Sequence, residues 1–386
     1  MRLECRLNVD KKFHIMELIG ELSGIKPCRE ETMAIVRSHF AITAAVATVI
    51  LTAGAVQAQT PTYEQILEGA RKEGRLFIAV SSPGTPTAHA AIAKAFNERF
   101  GLNVTVEWNA ANPVQTGTKL MAEKGRASGS VDVVGAGGAQ EASVLFERQI
   151  LKPYPWAAVF GKQFPQMEEV TNRVMKDLRG AALPILDATY GIGWNPKLIK
   201  DEDVPNTWAE LLKSEWRGRV AINAFSLNPL DYYSFALGKD ETLKMAKAVL
   251  DNKPVLERGT AAATRAISVG QAPVGVSSLH IAGRSEGVKF KLFSDYIPLN
   301  NLYIYVPESA PNPNAARLFA AWLTTEGITV ANAQEPLPRA GDKGTALTEL
   351  IAERVKGGAK ILTETSLEDT KQALSVRNAI ADLMTR

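Results

Sequence analysis

Short segments rich in hydroxyl groups follow several apolar runs of the sequence. The first segment contains Ser81, Ser82 and Thr85 and leads into a helical pattern. Side-chain hydroxyls and free backbone N–H groups at the start of a helix favour an anion or another polar oxygen as a ligand. Capping of the helix is the alternative role for these residues. We interpret the three residues as candidates for contact with a small polar molecule.

Further candidates come from three later segments of similar composition and from a glycine-rich stretch that begins at residue 190. They are Gly137, Gly138, Tyr190, Ser226, Ser278 and His280. Glycine N–H groups can bind an anion or form only a tight turn, and a tyrosine beside glycines is often merely packed. His280 is equally consistent with a ligand contact and with a structural loop position. Together the candidates predict a cleft that holds its ligand without a cofactor or a metal ion.

Catalytic motifs are missing from most of the sequence. Both cysteines, Cys5 and Cys28, lie in the first 58 residues, so the rest has no thiol nucleophile, disulfide or cysteine metal site. It also lacks a Gly-x-Ser-x-Gly elbow, a P-loop and a His-Glu-x-x-His motif. A secreted hydrolase would have to pair His280 with Ser277 or Ser278, and this short spacing gives poor geometry. The sequence favours binding over catalysis.

An export signal is predicted near the start of the chain. Arg37 precedes an apolar run, Phe40–Val56, that ends in a small-x-small sequence. This run is short for a membrane-spanning helix and typical of a signal peptide cleaved before Gln59, with an uncleaved anchor as the alternative. A start at Met33 would give an ordinary positively charged first segment. We interpret residues 1–58 as an extension plus a signal peptide, and we predict a periplasmic protein.

The charge of the chain bears on the kind of partner that it binds, and its length bears on the number of core-forming units. The whole chain has a formal net charge of +3, and its basic residues are dispersed along the sequence. This distribution gives no support for a nucleic-acid partner. The 328 residues that follow the predicted cleavage favour two core-forming units over one. We predict a monomer that binds a small solute.

Hydrophobic patterns of strands and helices alternate after the predicted cleavage point. A capping box at Thr62–Gln65 opens a helix, Arg75–Val80 is typical of a strand, and Asn103–Trp108 predicts a second strand after an intervening helix. This βαβ order predicts a parallel sheet in an α/β protein. The other predicted elements are the helix Lys119–Gly125, the strand Val131–Val134, a loop at Gly135–Gly138, the strands Arg219–Asn223, Ala272–Val276 and Tyr303–Val306, a loop at Ser277–His280, the helix Pro313–Leu323 and a tail helix from Ser366.

Several stretches resemble the group-1, ferric-iron-type solute-binding proteins of ABC importers. They are Ala93–Phe96, Gly101–Val106, Val131–Val134, Tyr190–Asn195, Val204–Leu212, Trp216–Val220 and Ala310–Ala320. The resemblance implies a type II periplasmic binding fold, an α/β fold of two lobes in which each lobe is a mixed sheet flanked by helices and the ligand cleft lies between them. It implies that residues 59–186 and 300–345 form lobe 1 and that residues 187–299 and 346–386 form lobe 2. Closure on a ligand would then present a surface to an ABC permease in the inner membrane.

The resemblance does not extend to the iron ligands. Iron-binding members use a histidine, a glutamate and two adjacent tyrosines, and this sequence has Thr85, Gly137, Leu279 and His280 at the corresponding positions. These residues lack the anionic oxygen donors that a ferric ion prefers. We therefore predict no iron site of that pattern and a small polar solute, most consistent with an organic anion.

Two alternatives within the same fold stay open. A ferric receptor could use other oxygen donors, such as Tyr232 and Tyr233, together with an anion. The same fold also serves as the sensory partner of a membrane receptor, which the sequence does not distinguish from an importer component.

Overall fold

The structure is built on a mixed β-sheet, and the computed structural model describes residues 60–110 and 112–385. The strands are β1 (Arg75–Val80), β2 (Thr105–Ala110), β3 (Val133–Gly138), β4 (Leu183–Trp194), β5 (Val220–Asn223), β6 (Val255–Glu257), β7 (Val274–Ser278), β8 (Lys289–Leu292), β9 (Tyr296–Tyr305) and β10 (Lys360–Leu362). The helices are α1 (Tyr63–Glu73), α2 (Pro86–Phe100), α3 (Pro113–Glu123), α4 (Ala139–Glu147), α5 (Trp156–Phe160), α6 (Met167–Asn172), α7 (Trp208–Leu211), α8 (Ser234–Leu237), α9 (Lys239–Asp251), α10 (Thr260–Ser268), α11 (Leu279–Ala282), α12 (Pro313–Leu323), α13 (Gly327–Gln334), α14 (Ala346–Lys356) and α15 (Leu367–Met384).

The sheet has two halves that meet at strand β4. Its order is β2-β1-β3-β9-β4-β7-β5-β6, with β10 beside β9 and β8 beside β4. Strand β4 pairs with β9 through residues 183–189 and with β7 through residues 190–194. The predicted parallel pairing of β1 with β2 is confirmed, and β5 is likewise parallel to β6 and β7. The antiparallel strands β4 and β9 therefore join two α/β lobes.

Each lobe has its own apolar core. In lobe 1, Phe96 of α2 packs against Phe319 of α12 beneath the β1 side of the sheet. In lobe 2, Trp208 of α7 stacks on Phe293 at a centroid distance of 6.0 Å. Burial of one such large side chain contributes about 1.5–3 kcal/mol. Each lobe is thus stabilised mainly by its own apolar core.

Several element boundaries match the sequence predictions. Thr62 and Gln65 form the predicted capping box at the start of α1, and Gly74 ends this helix in the left-handed conformation. Strand β1 and helix α12 occupy the predicted residues. Helix α3 begins at Pro113, earlier than predicted, because the side chain of Asn112 accepts a hydrogen bond from the backbone of its first turn.

The predicted glycine-rich loop at Gly135–Gly138 is wrong, because these residues continue strand β3. They pair with β9, and the register shifts between Gly135 and Gly137. A β-carbon on Gly137 would lie 2.6 Å from the Tyr305 hydroxyl, and one on Gly135 would lie 2.8 Å from Cγ2 of Val80. The glycines therefore allow neighbouring side chains to pack closely against the strand.

The predicted loop at Ser277–His280 is also wrong. Strand β7 starts two residues later than predicted and includes both serines, and helix α11 follows it directly. Serine can be buried in this strand because Oγ of Ser277 forms a 2.6 Å hydrogen bond with Oγ1 of Thr264 on helix α10. His280 is consequently a helix residue and not a loop residue.

Three chain segments that cross between the lobes are tied together by Asp187 of β4. Its carboxylate accepts hydrogen bonds from Nδ2 of Asn301 on β9 at 2.8 Å and from the N–H of Ala340 at 2.7 Å. Its own N–H donates to the carbonyl of Pro338 at 2.7 Å. Burial raises the pKa of Asp187. The lobes are thus linked by hydrogen-bonded backbone and not by a single flexible loop.

The predicted export signal lies outside the described residues. Within residues 60–110 and 112–385, none of the helices combines the length and apolar character needed to cross a membrane.

Candidate functional site

The loop after β1 holds three of the predicted ligand-binding residues. Ser81 is exposed, Ser82 is buried, and Thr85 precedes helix α2. The Thr85 hydroxyl accepts a hydrogen bond from the backbone of the first turn, so it caps the helix. The N–H of Gly84 donates to Oε2 of Glu335 at 2.8 Å. One backbone donor of this loop is therefore used by a carboxylate of the chain itself, and contact of Ser81, Ser82 and Thr85 with a ligand stays a prediction.

Glu335 also connects the two lobes. Its side chain is only 2 % exposed, and its carboxylate forms an ion pair with Arg284, which follows α11 in lobe 2. A buried carboxylate is stable when a cation and a hydrogen-bond donor both satisfy it. This contact brings the loop after β1 next to the end of α11.

Tyr190, Ser226 and Ser278 all belong to one region of lobe 2. Tyr190 and Ser278 are register partners in strands β4 and β7, and the Tyr190 hydroxyl accepts a hydrogen bond from Nδ2 of Asn228 at 2.8 Å. Ser226 lies in the same loop as Asn228 and has a φ of 52°, which is uncommon for serine. Burial raises the pKa of the Tyr190 hydroxyl, which keeps it protonated.

The Ser278 hydroxyl is the least satisfied of these groups. The residue is 1 % exposed, and its Oγ has no hydrogen-bond partner among the residues that the structure describes. A buried hydroxyl in this condition carries a desolvation cost of about 1–3 kcal/mol. A polar ligand atom in contact with Ser278 would remove that cost.

The two candidate glycines lie at the end of β3, on the lobe 1 side of the boundary. A β-carbon on Gly138 would be 2.6 Å from Oε2 of Glu141 and 3.3 Å from Oδ1 of Asn300. Gly137 faces Tyr305 in the same way. Both glycines thus leave room for polar side chains at the boundary, and their role as N–H donors to a ligand stays a prediction.

His280 is buried in the first turn of α11. Burial lowers its pKa to about 3, and the nearby Arg284 acts in the same direction. Its Nδ1 has no hydrogen-bond partner in the described part of the chain. The residue lines a cavity of about 400 Å³ whose other walls include Pro336 and Leu347. At neutral pH the ring is therefore uncharged and could contact a ligand only as a neutral donor or acceptor.

A group of polar residues lies where the lobes meet, and the sequence singled out only its Tyr232. We call it the interlobe polar cluster, and its members are Gln140, Glu141, Asp231, Tyr232, Glu364 and Arg377. Two members begin helix α4 in lobe 1, and the others follow β5 and β10 or lie on α15. The cluster is therefore assembled by both lobes.

Arg377 is the cation of the interlobe polar cluster. Its Nε and Nη2 lie 3.0 Å and 2.9 Å from Oδ2 of Asp231, and its Nη1 lies 3.8 Å from Oε1 of Glu141. Burial acts to lower the pKa of Arg377, but the two carboxylates outweigh it and the pKa is raised. The arginine is thus firmly charged and keeps one nitrogen without a close acceptor in this ion-pair group.

Glu364 links the same two lobes through hydrogen bonds. It accepts from the Tyr232 hydroxyl at 2.6 Å and from Nε2 of Gln140 at 3.0 Å. Burial raises the pKa of Glu364 to about 7, so this carboxyl is partly protonated at neutral pH. Two acceptor atoms of the cluster, Oδ1 of Asp231 and Oε1 of Gln140, have no partner within residues 60–110 and 112–385.

The alternative iron ligands are unfavourably placed. Burial raises the pKa of Tyr232 and of Tyr233 well above the usual value, which opposes the tyrosinate form that binds iron. In the described part of the chain, no three or more His, Cys, Asp or Glu side chains are arranged to hold a metal ion.

The hydrolase alternative lacks its central contact. The Ser277 hydroxyl is bonded to Thr264, and the described residues provide no partner for Oγ of Ser278 or Nδ1 of His280. The serine–histidine hydrogen bond on which such a mechanism depends is therefore not formed in this structure.

Helical periodicity could have identified the arginine of the cluster. The inward positions of α15 are Thr370, Ala373, Val376 and Ile380, and Arg377 lies beside them. Charged residues are seldom buried without a partner, so an arginine at the edge of an inward stripe indicates an ion pair. The position of that partner, however, is not encoded near it in the sequence.

Comparison with known proteins identifies the family. Residues 81–329 match a family model described as bacterial extracellular solute-binding protein. No curated protein matches the chain by sequence. Three of the solved structures that are similar to the chain differ in the bound ligand or in the solute for which the protein is named.

These three structures share the fold at low sequence identity. Iron-bound HitA from Pseudomonas aeruginosa is 18% identical with a TM-score of 0.60, over 79% of this chain and 99% of HitA. AfuA from Actinobacillus pleuropneumoniae, with fructose-6-phosphate bound, is 18% identical with a TM-score of 0.59, over 80% and 98% of the two chains. The spermidine/putrescine substrate-binding protein PotD from Streptococcus pneumoniae is 12% identical with a TM-score of 0.57, over 79% and 98%.

The predicted two-lobed α/β fold is confirmed by these likenesses. The family model spans more than half of the sequence and includes the loop after β1, the strands that join the lobes and helix α12. The chain therefore belongs to the bacterial extracellular solute-binding proteins.

Proposed function

We propose that the chain is the periplasmic component of an ABC importer that takes up a small polar organic acid. The two lobes close over the solute, and the closed protein delivers it to a permease in the inner membrane. Export uses the signal peptide predicted before Gln59, and the protein acts as a monomer without catalysing a reaction. Family membership supports solute binding, and the incompletely satisfied interlobe polar cluster supports the place of binding.

The observation that carries the proposal is the partly used guanidinium of Arg377. Its Nη1 lies 3.8 Å from Glu141, which is too long for a hydrogen bond. Side-chain exposure of 25% leaves room for a ligand atom to approach. A carboxylate is the natural partner because arginine binds it through two parallel hydrogen bonds.

The carboxylates around Arg377 restrict the kind of acid. Glu141 and Asp231 repel a solute that carries only negative charge. A hydroxyl or ammonium group beside the acid reverses this effect, because it can donate to the unpartnered Oδ1 of Asp231 described above. The expected solute is therefore an amino acid or a hydroxy acid and not a simple anion.

A thermal-unfolding screen of the purified protein tests this class directly. We expect the best amino or hydroxy acid to raise the unfolding temperature by about 5 °C when its concentration is a hundred times its dissociation constant. The screen compares amino acids and hydroxy acids with simple carboxylates, amines, sugar phosphates, ferric citrate and ferric ion. Stabilisation by bare ferric ion alone, or by amines alone, would contradict the proposed ligand class.

Two neighbouring serines provide a matched test of the binding residues. Ser278→Ala removes an unsatisfied buried hydroxyl, so we expect the free protein to be at least as stable as the wild type and to bind the best solute about fivefold more weakly. Ser277→Ala removes the hydrogen bond to Thr264 and should cost about 1 kcal/mol of stability without a change in affinity. Calorimetric titration measures both affinities. Equal affinities for the two variants would exclude Ser278 from the site.

A further inference from the structure

A narrow apolar groove opens beside the interlobe polar cluster. Helices α3, α4 and α15 form its walls, and the apolar side chains on these walls are Val114, Met121, Val144, Leu145 and Leu374. The groove encloses a cavity of about 150 Å³. Cavities of this size in proteins take up molecules as large as benzene.

The groove is continuous with the polar cluster. Gln140 and Glu141 belong to the cluster and also line the groove. Leu374 and Arg377 are three residues apart on α15 and so project from the same side of that helix. Gln140 is 5% exposed, and its Oε1 has no hydrogen-bond partner in the described part of the chain. The groove therefore has an apolar end and a polar end with an unsatisfied acceptor.

The apolar end presents side chains that lack cover. Val114 is 56% exposed and Met121 is 38% exposed. Apolar contact with a ligand would remove this surface from water, which is favourable in proportion to the area covered. Both residues lie on α3 in lobe 1, whereas Leu374 lies in lobe 2, so a group in the groove touches both lobes.

Gly117 keeps the groove open. It lies within α3, and the nearest atom to a β-carbon at this position would be Cδ2 of Leu145 at 4.0 Å. Glycine is a poor helix former, and nothing in the surrounding packing requires it here. A larger side chain at this position would project into the groove and fill it.

We propose that this groove binds the apolar end of the transported solute. The proposal rests on the proposed function, because the acid group of the same solute is held by the interlobe polar cluster. The substrate class is thereby narrowed to amino or hydroxy acids with an apolar side chain of about the size of leucine or phenylalanine. Such a solute satisfies the cluster and covers the groove at the same time.

The test compares side-chain length in two matched series. Calorimetric titration of the purified protein uses alanine, leucine and phenylalanine, and then lactate, 2-hydroxy-4-methylpentanoate and 3-phenyllactate. In whichever of the two series the protein binds, we expect the two longer acids to bind about 10- to 100-fold more tightly than the shortest acid. In Gly117→Leu this preference should fall below about threefold, because the new side chain occupies the groove. Lys119→Leu adds the same side chain at an exposed position of α3 and should keep the preference.

The outcomes separate this inference from the proposed function. Equal affinity for short and long members overturns the groove proposal and leaves organic-acid binding intact. Lack of binding by every acid in both series overturns both. Met121→Gln serves as a second variant if Gly117→Leu does not fold, because residue 121 lies on the groove wall, is 38% exposed and would become polar at nearly the same size. An undiminished preference in both groove variants also counts against the proposal.

Discussion

Arg377→Met is expected to lower the free energy of unfolding by about 3 kcal/mol, because it leaves the buried carboxylate of Asp231 without a cation. Asp231 is only 1% exposed and pairs with Arg377 through two guanidinium nitrogens. Methionine preserves most of the stem of the arginine side chain, so the loss reflects charge and not packing. Denaturation by urea at pH 7.5, followed by tryptophan fluorescence, measures the change.

A double variant and a surface variant control for this effect. Asp231→Asn combined with Arg377→Met removes both charges, so it should be more stable than Arg377→Met alone. Lys371 lies on the same helix as Arg377, and Lys371→Met breaks its exposed ion pair with Glu147 of α4, which should lower the free energy of unfolding by less than about 1 kcal/mol. If Arg377→Met lowers the free energy of unfolding by no more than Lys371→Met does, the ion pair of Arg377 with Asp231 is not buried in solution.

Substitution of His280 is expected to change how stability depends on pH. The folded-state pKa of His280 is lowered to about 3 from its usual value of 6.5. Between these values the unfolded chain binds a proton that the folded chain excludes, so stability is lost as the pH falls below 6.5. This loss amounts to about 1.4 kcal/mol per pH unit. From pH 7.5 to pH 5.0, the His280→Leu variant should therefore gain about 2 kcal/mol relative to the wild type.

Glu364 acts in the opposite direction and hides this effect in the wild type. Burial raises its folded-state pKa to about 7 from the usual value of 4.5. The folded chain then binds more protons than the unfolded chain, and this stabilisation is lost as the pH rises towards 7. Both proteins contain Glu364, so its contribution cancels when the free energies of unfolding of the wild type and of His280→Leu are subtracted at each pH. A constant difference across pH 5.0–7.5 would show that His280 is not buried and neutral.

The local patterns of the sequence predicted much of the fold. The capping box of α1, the strand β1 and the helix α12 depend on residues close together in the chain, and their positions are confirmed. The errors at Gly135–Gly138 and Ser277–His280 have a common cause. Glycine and serine favour turns in isolation, but here tertiary contacts with side chains such as Tyr305 and Thr264 place them in buried strands.

The candidate site was predicted less completely. Ser278 was identified because α/β proteins bind ligands at strand ends, and Tyr190 because it begins a glycine-rich stretch; the structure places these two residues side by side. The interlobe polar cluster was missed because its pairs are distant in sequence. Arg377 and Asp231 are 146 residues apart, and no local period connects them. Only the folded arrangement of α15 against the loop after β5 reveals the pair.

The carboxylate of Glu335 has a consequence for discrimination against background ions. Helix starts with free N–H groups attract phosphate and sulfate, which are abundant in many surroundings of bacteria. At the start of α2, Glu335 already occupies the N–H of Gly84 and is itself neutralised by Arg284. An inorganic anion that arrives there finds this N–H donor already hydrogen-bonded. The carboxylate of Glu335 thus acts as an internal anion that competes with phosphate and sulfate for this position beside the cleft.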